Sequence, residues 1–173
     1  MALVIVATPG AADANSYATE AELTSWIEQR LNNSAAVLAA TSDTKKKALI
    51  NATRSLDQLV DWEGDPAEPT VQALQFPRIN LEDDKGNELD SASIPERLVN
   101  ATCELACNFI DGDRLGEVST SGIDYLKAGP VELEFSKTNA PARKVFTDTV
   151  FQMVALWGEK QFEGNAFIEC GRG

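Results

Sequence analysis

Four stretches of the chain repeat apolar residues at helical spacing, with polar segments containing Gly or Pro between them. The strongest stripe runs through Ala48, Leu49, Ala52, Leu56, Leu59 and Val60. It predicts a helix from an N-cap at Asp43 to about residue 61, ending at Trp62 and closed by Gly64. Upstream, Leu23, Trp26, Ile27 and Leu31 share one face of a predicted helix over residues 20–31, which Thr19 and Glu22 open as a capping box. Residues 35–40 read as a short helical turn or a loop. Leu98, Thr102, Leu105 and Phe109, widened by Ala101 and Ala106, predict a third helix. Pro95 sits in its first turn, Ser93 or Ile94 near its cap, and Gly112 ends it. Pro141 opens a fourth, with Ala142, Phe146, Val150, Met153, Val154 and Trp157 on one face and Gly158 as its stop.

The remaining pattern is extended. Residues 3–6 (LVIV) are apolar and β-branched, suited to pairing in this subunit or another. Residues 72–78 (QALQFPR) read as extended, because Pro77 biases Phe76 away from helix. Residues 79–93 carry the turn signature Asp83, Asp84, Gly86, Asn87 and suggest a small hairpin. Ile123 and Tyr125, then Val131, Leu133 and Phe135, alternate with polar residues as half-buried strands do. The predicted fold is mainly α: a four-helix bundle with a small β excursion between the third and fourth helices. It is one domain, with an N-terminal arm (1–15), the bundle (16–158) and a C-terminal arm (159–173). The tail carries Phe162, Phe167 and Ile168 among small and polar residues, a composition that a partner could order.

Composition narrows the function. The 173 residues suffice for a proper core, and 43 % are hydrophobic, too many for a disordered chain. The net charge is −12, which disfavours nucleic-acid binding through phosphate contacts and suits a surface that DNA passes without sticking. There is no histidine, which removes Ser-His-Asp and Cys-His catalysis and His-ligated metal. Three cysteines do not make a disulfide framework and point to a reducing compartment. The short apolar start lacks the basic flank of a signal peptide, and no stretch approaches a membrane span. A soluble protein made in the cytoplasm is the expectation.

Candidate chemistry is sparse. Cys103 and Cys107 stand i, i+4 on the third helix, but two thiols are too few to close a metal site, and small core residues are the plainer reading. Asp83-Asp84 and Asp111-Gly-Asp113 lack the ligand pattern of a calcium loop and read as solvated turns. Trp62, Phe76 and Arg78 combine stacking surface with one cation, the ingredients of a nucleic-acid platform. The plainer reading is that the aromatics pack a loop onto the second helix. Lys45, Lys46 and Lys47 oppose the dipole of the helix they begin; they are either a solvated basic end or a contact for an acidic partner. No catalytic constellation is visible and no cofactor is expected.

The order of motifs carries more than any one of them. Asn15-Ser16-Tyr17, Ala52-Thr53-Arg54-Ser55-Leu56-Asp57, Trp62-x-Gly64, Gln75-Phe76-Pro77-Arg78, Ile94-Pro95, Glu104-Leu105-Ala106, Lys127-Ala128-Gly129-Pro130-Val131 and the terminal Gly171-Arg172-Gly173 follow one another. This series resembles the head–tail adaptor (connector, head-completion) proteins of tailed bacteriophages, some relatives of which are described as DnaT-like single-stranded-DNA-binding. Phe76 departs from it, since Trp is expected before Pro-Arg. The resemblance implies a non-enzymatic virion protein of the neck, made in the host cytoplasm. It implies a homo-oligomeric ring, a dodecamer, under the portal protein, with a tail or neck protein below and genomic double-stranded DNA passing through unbound. On this reading Trp62, Phe76, Arg78, Lys45 and Lys46 belong to the subunit interface. Phe162, Phe167, Ile168 and Arg172 form an arm that docks on the portal. The alternative function is single-stranded-DNA binding.

Overall fold

The structure, a computed structural model, describes residues 3–112, 125–128, 131–134 and 147–161. In chain order its elements are α1 (Glu20–Gln29), α2 (Ala35–Leu38), α3 (Ser42–Leu59), β1 (Val60–Trp62), β2 (Asp65–Pro66), β3 (Arg78–Ile79), α4 (Glu96–Asp111), β4 (Tyr125–Ala128), β5 (Val131–Glu134), α5 (Asp148–Val154) and β6 (Gly158–Lys160). The fold is mainly helical. Among the described residues the strands form three separate antiparallel pairs.

Helix boundaries follow local hydrogen bonding. The capping box forms at α1: Thr19 N–H donates to Glu22 Oε2 at 2.6 Å, and Glu22 N–H returns to Thr19 Oγ1 at 3.2 Å. The helix ends at Gln29, short of the predicted residue 31. Arg30 is extended there, and Asn33 Nδ2 donates to the Ile27 carbonyl at 2.8 Å, taking up one of the last-turn acceptors. Leu31, predicted on the buried face, is instead 95 % exposed. Ser34 caps the short α2 through the Val37 N–H. Thr41, not Asp43, caps α3, accepting from Thr44 N–H at 3.3 Å; Asp43 lies in the first turn, where its charge suits the dipole.

Helix α3 stops at Leu59 because Val60 begins a strand. Residues of β1 pair with β6 in the register Val60↔Lys160, Asp61↔Glu159, Trp62↔Gly158. This pairing overturns two predicted boundaries. The helix does not reach residue 61, and the start of the expected C-terminal arm, Glu159 and Lys160, is tied into a sheet. Helix α5 runs Asp148–Val154 behind the N-cap Thr147; the helix opening expected at Pro141 lies outside the described residues. The predicted β excursion is present: β4 and β5 pair between α4 and α5, with Ala128 opposite Val131. The hairpin of 79–93 is also present, closed by Leu89 N–H to Leu81 O at 2.8 Å and Asp83 N–H to Asn87 O at 2.8 Å.

The core is organised on α4. Helices α1, α2, α3 and α5 all pack against it, which makes it the hub. Its buried face, Leu98, Ala101, Thr102, Cys103, Leu105, Ala106 and Cys107, is rich in small side chains that let neighbouring backbones come close. Thr102 satisfies its hydroxyl on the Leu98 carbonyl at 2.8 Å. Residues 3–6, predicted as a strand, join no sheet among the described residues; the Val6 carbonyl accepts from the Asn15 and Ser16 N–H groups at 2.9 and 3.4 Å. Asn15 accepts from Val6 N–H at 2.9 Å and donates to the Val4 carbonyl at 3.0 Å, as a paired strand would.

Candidate functional site

The most concentrated polar chemistry among the described residues lies at the C-terminal end of α3. Thr53 and Asp57 are one turn apart on that helix and both turn toward residues 15–18. Tyr17 N–H donates to Thr53 Oγ1 at 3.1 Å. The Tyr17 hydroxyl donates to Asp57 Oδ1 and accepts from Phe76 N–H at 3.2 Å. Asp57 Oδ2 also accepts, weakly, from Gln75 N–H at 3.4 Å. The N-terminal segment and the 75–78 loop are thus fastened to α3 by one tyrosine and one carboxylate.

Phe76 fills the centre. It meets Trp62 edge-on at 4.9 Å between ring centroids, Tyr17 edge-on at 6.2 Å and Trp157 tilted at 6.4 Å. The peptide bond between Phe76 and Pro77 is cis. Arg78 closes the junction from the other side and is only 7 % exposed. Its Nε donates to the Glu63 carbonyl at 2.7 Å. Nη2 reaches the Gly64 and Trp62 carbonyls at 2.7 and 3.3 Å, and Nη1 reaches Gln75 Oε1 and its carbonyl at 3.0 and 3.3 Å. These bonds gather the carbonyls that the end of β1 leaves open. Gly64 is required here: its φ is +68°, and an added Cβ would sit 2.4 Å from the Ile79 carbonyl oxygen.

Trp62, Phe76 and Arg78 are therefore brought together, as the sequence suggested, but inside the subunit. Within the subunit the aromatics pack a loop onto α3, and the guanidinium bonds to backbone carbonyls of its own chain. Lys45 and Lys46 lie elsewhere, at the opposite end of α3. Lys45 Nζ donates to Thr24 Oγ1 at 3.2 Å, and Lys46 Nζ stands 3.6 Å from Glu20 Oε2, so both lean on α1. Phe162, Phe167, Ile168 and Arg172 lie outside the described residues. Cys103 and Cys107 are free and buried; burial pushes Cys103 well above the ordinary thiol range and Cys107 up to about 11. Asp83 accepts from Lys85 N–H, Asn87 N–H and Asn87 Nδ2 of its own loop, which holds its carboxyl below the usual range. Asp84 pairs with Arg97 at 3.2 Å.

Tyr17, Asp57 and Gln75 stand in the motif series, but sequence reasoning gives them no part in a site. The signal available was the polar pair Thr53 and Asp57, one turn apart beside a stripe of buried residues.

Burial, the dominant cause, raises Asp57 from 3.8 to about 6, against the opposing pull of Tyr17, the Gln75 N–H, the Trp62 indole and the Arg78 charge. The Trp62 indole N–H helps hold the charge without reaching hydrogen-bond geometry. Tyr17 is pushed well above its ordinary value by burial and by Asp57. Burial lowers Arg78, partly offset by Tyr17, Asp65, Asp57 and Asp61. A carboxyl whose folded value exceeds its unfolded one binds more protons when folded between the two, so stability falls as pH rises through that window. The cost of the buried charge should be absent below pH about 4 and complete above pH about 6, amounting to roughly 2–3 kcal/mol. Denaturation of wild type and Asp57→Asn at pH 4.5 and 7.5 checks this. The wild type should gain on the variant by about that amount at the lower pH, and a pH-independent difference would contradict the raised value.

The fold and this junction define a small helical domain braced across its interior by a buried arginine and a tyrosine–carboxylate pair. The family model described as "Putative DnaT-like ssDNA binding protein" matches residues 1–172, and the chain belongs to that family. No curated protein and no solved structure matches the chain.

Proposed function

We propose that the protein is a non-catalytic assembly component of the phage neck, a homo-oligomeric ring seated under the portal that extends the DNA channel toward the tail. The observation that carries this reading is electrostatic. The chain has a net charge of −12, and five of the cations among the described residues are paired or buried within the subunit. Arg30 pairs with Glu104 at 2.9 Å, Arg97 with Asp84, Lys160 with Asp148 at 3.2 Å and Lys46 with Glu20, while Arg78 is buried. Such a surface offers phosphates few partners and lets DNA slide past. The motif order described above supports the adaptor; so does the apolar tail, whose Phe162, Phe167, Ile168 and Arg172 would dock on the portal.

The second reading is single-stranded-DNA binding. The family match speaks for it directly and does not speak for the neck. A titration of fluorescein-labelled single-stranded oligonucleotide by anisotropy at low salt separates the two. The adaptor reading expects no signal at micromolar protein. Electron microscopy of purified portal mixed with the protein should then show an added ring, lost when residues 162–173 are removed. Oligonucleotide binding together with an undecorated portal would replace the first reading by the second.

A further inference from the structure

Two faces at opposite ends of α3 carry exposed apolar side chains beside opposite charges. The first surrounds its N-terminus. Leu31 is 95 % and Leu38 67 % exposed, and the chain carries no charge from Leu31 to Ser42. After this uncharged run and Asp43 come Lys45, Lys46 and Lys47, the densest cationic run in an acidic chain; Lys45 and Lys46 lean on α1, and Lys47 is exposed. The second face lies past the C-terminus of α3, beyond β1. It is a cleft of about 630 Å³ rimmed by Glu63, Glu82, Asp83 and Glu88, with Leu156 and Trp157 among its apolar walls. Leu156 is 41 % exposed and the adjoining Ile79 37 %. The 18 residues of α3 hold the two faces roughly 27 Å apart.

We propose that these faces are the two halves of one head-to-tail interface between copies of this chain, the Leu31/Leu38/Lys47 knob of one copy entering the acidic cleft of the next. The occupant follows from charge. A face with exposed leucines beside lysines calls for an acidic, partly apolar partner, and the chain itself presents such a surface at its other end. Knob on knob would bring lysines together, and cleft on cleft would bring four carboxylates against four. Only the heterologous arrangement pairs opposite signs. A heterologous contact closes into a ring when the rotation between copies allows it. The inference rests on the assembly reading above and specifies its contact.

Sedimentation velocity of the full chain from micromolar to about 1 mM tests it. Reversible association should appear and weaken as salt is raised. A knob variant, Leu38→Glu with Lys47→Glu, and a cleft variant, Glu82→Lys with Glu88→Lys, each change exposed side chains. Circular dichroism should show both folded. Each variant alone should raise the dissociation constant at least roughly tenfold. Mixed, they should associate where neither does alone, because the wild-type knob of one meets the wild-type cleft of the other. A wild type that stays monomeric throughout the range overturns the inference. Association indifferent to both variants also overturns it, yet leaves the assembly reading standing, because decoration of the portal tests that reading separately.

Discussion

Arg78→Glu should strongly destabilise the isolated subunit, not merely block its assembly. Read from the sequence, Arg78 is an inter-subunit contact whose charge reversal would leave the monomer intact. The structure reverses that expectation. The guanidinium makes five hydrogen bonds, four of them to the backbone carbonyls of Trp62, Glu63, Gly64 and Gln75. A glutamate there donates nothing and places a carboxylate among carbonyl oxygens, near Asp57, Asp61 and Asp65. Removing one partner of a buried charged network costs about 3–5 kcal/mol, and the added repulsion raises it. That is a large part of the roughly 5–15 kcal/mol by which a domain is stable. Urea denaturation followed by circular dichroism reads the loss. Arg78→Met separates its causes: it keeps the apolar stem and removes only the donors, so it should cost less than the glutamate and still more than about 1 kcal/mol. A glutamate variant as stable as wild type would mean that the carbonyls find other donors and that Arg78 faces outward after all.

How much of this was legible follows from the range of each interaction. The capping box at Thr19, the stripes of α3 and α4 and the β excursion all arise from residues within a few positions of one another, and periodicity reports such contacts well. The end of α3 does not arise that way. Val60 continues the helical stripe; it becomes a strand because Lys160, a hundred residues later, supplies its partner. The same distance hid the pairing of Glu159 and Lys160 with β1. Leu31 continued the stripe of α1 in sequence, yet Asn33 turned the chain out before it. The members of the junction were partly visible: Trp62, Phe76 and Arg78 stood out by residue type. Whether they face solvent or the interior depends on where Tyr17 and Trp157 come to lie, which no local pattern records.

Leu56→Ala should be among the most damaging apolar truncations in the chain. Leu56 is fully buried on the face of α3 that packs against α4, the most extensive helix contact in the fold. It also sits one residue before Asp57, so a cavity there loosens the helix that holds the tyrosine–carboxylate pair. Truncation removes the transfer energy of the lost atoms and leaves a void that rigid neighbours fill only in part, a cost of about 2–5 kcal/mol. Leu38→Ala is the matched control. Its side chain is two-thirds exposed, and the same chemical change there should move stability by less than about 0.5 kcal/mol. Paired thermal melts of the two variants decide the matter. The contrast also bears on the head-to-tail contact, because Leu38→Ala should weaken association while the fold stays intact. Were Leu38→Ala to destabilise the monomer as much as Leu56→Ala, Leu38 would belong to the core of its own subunit, and the apolar knob on which that contact depends would not exist.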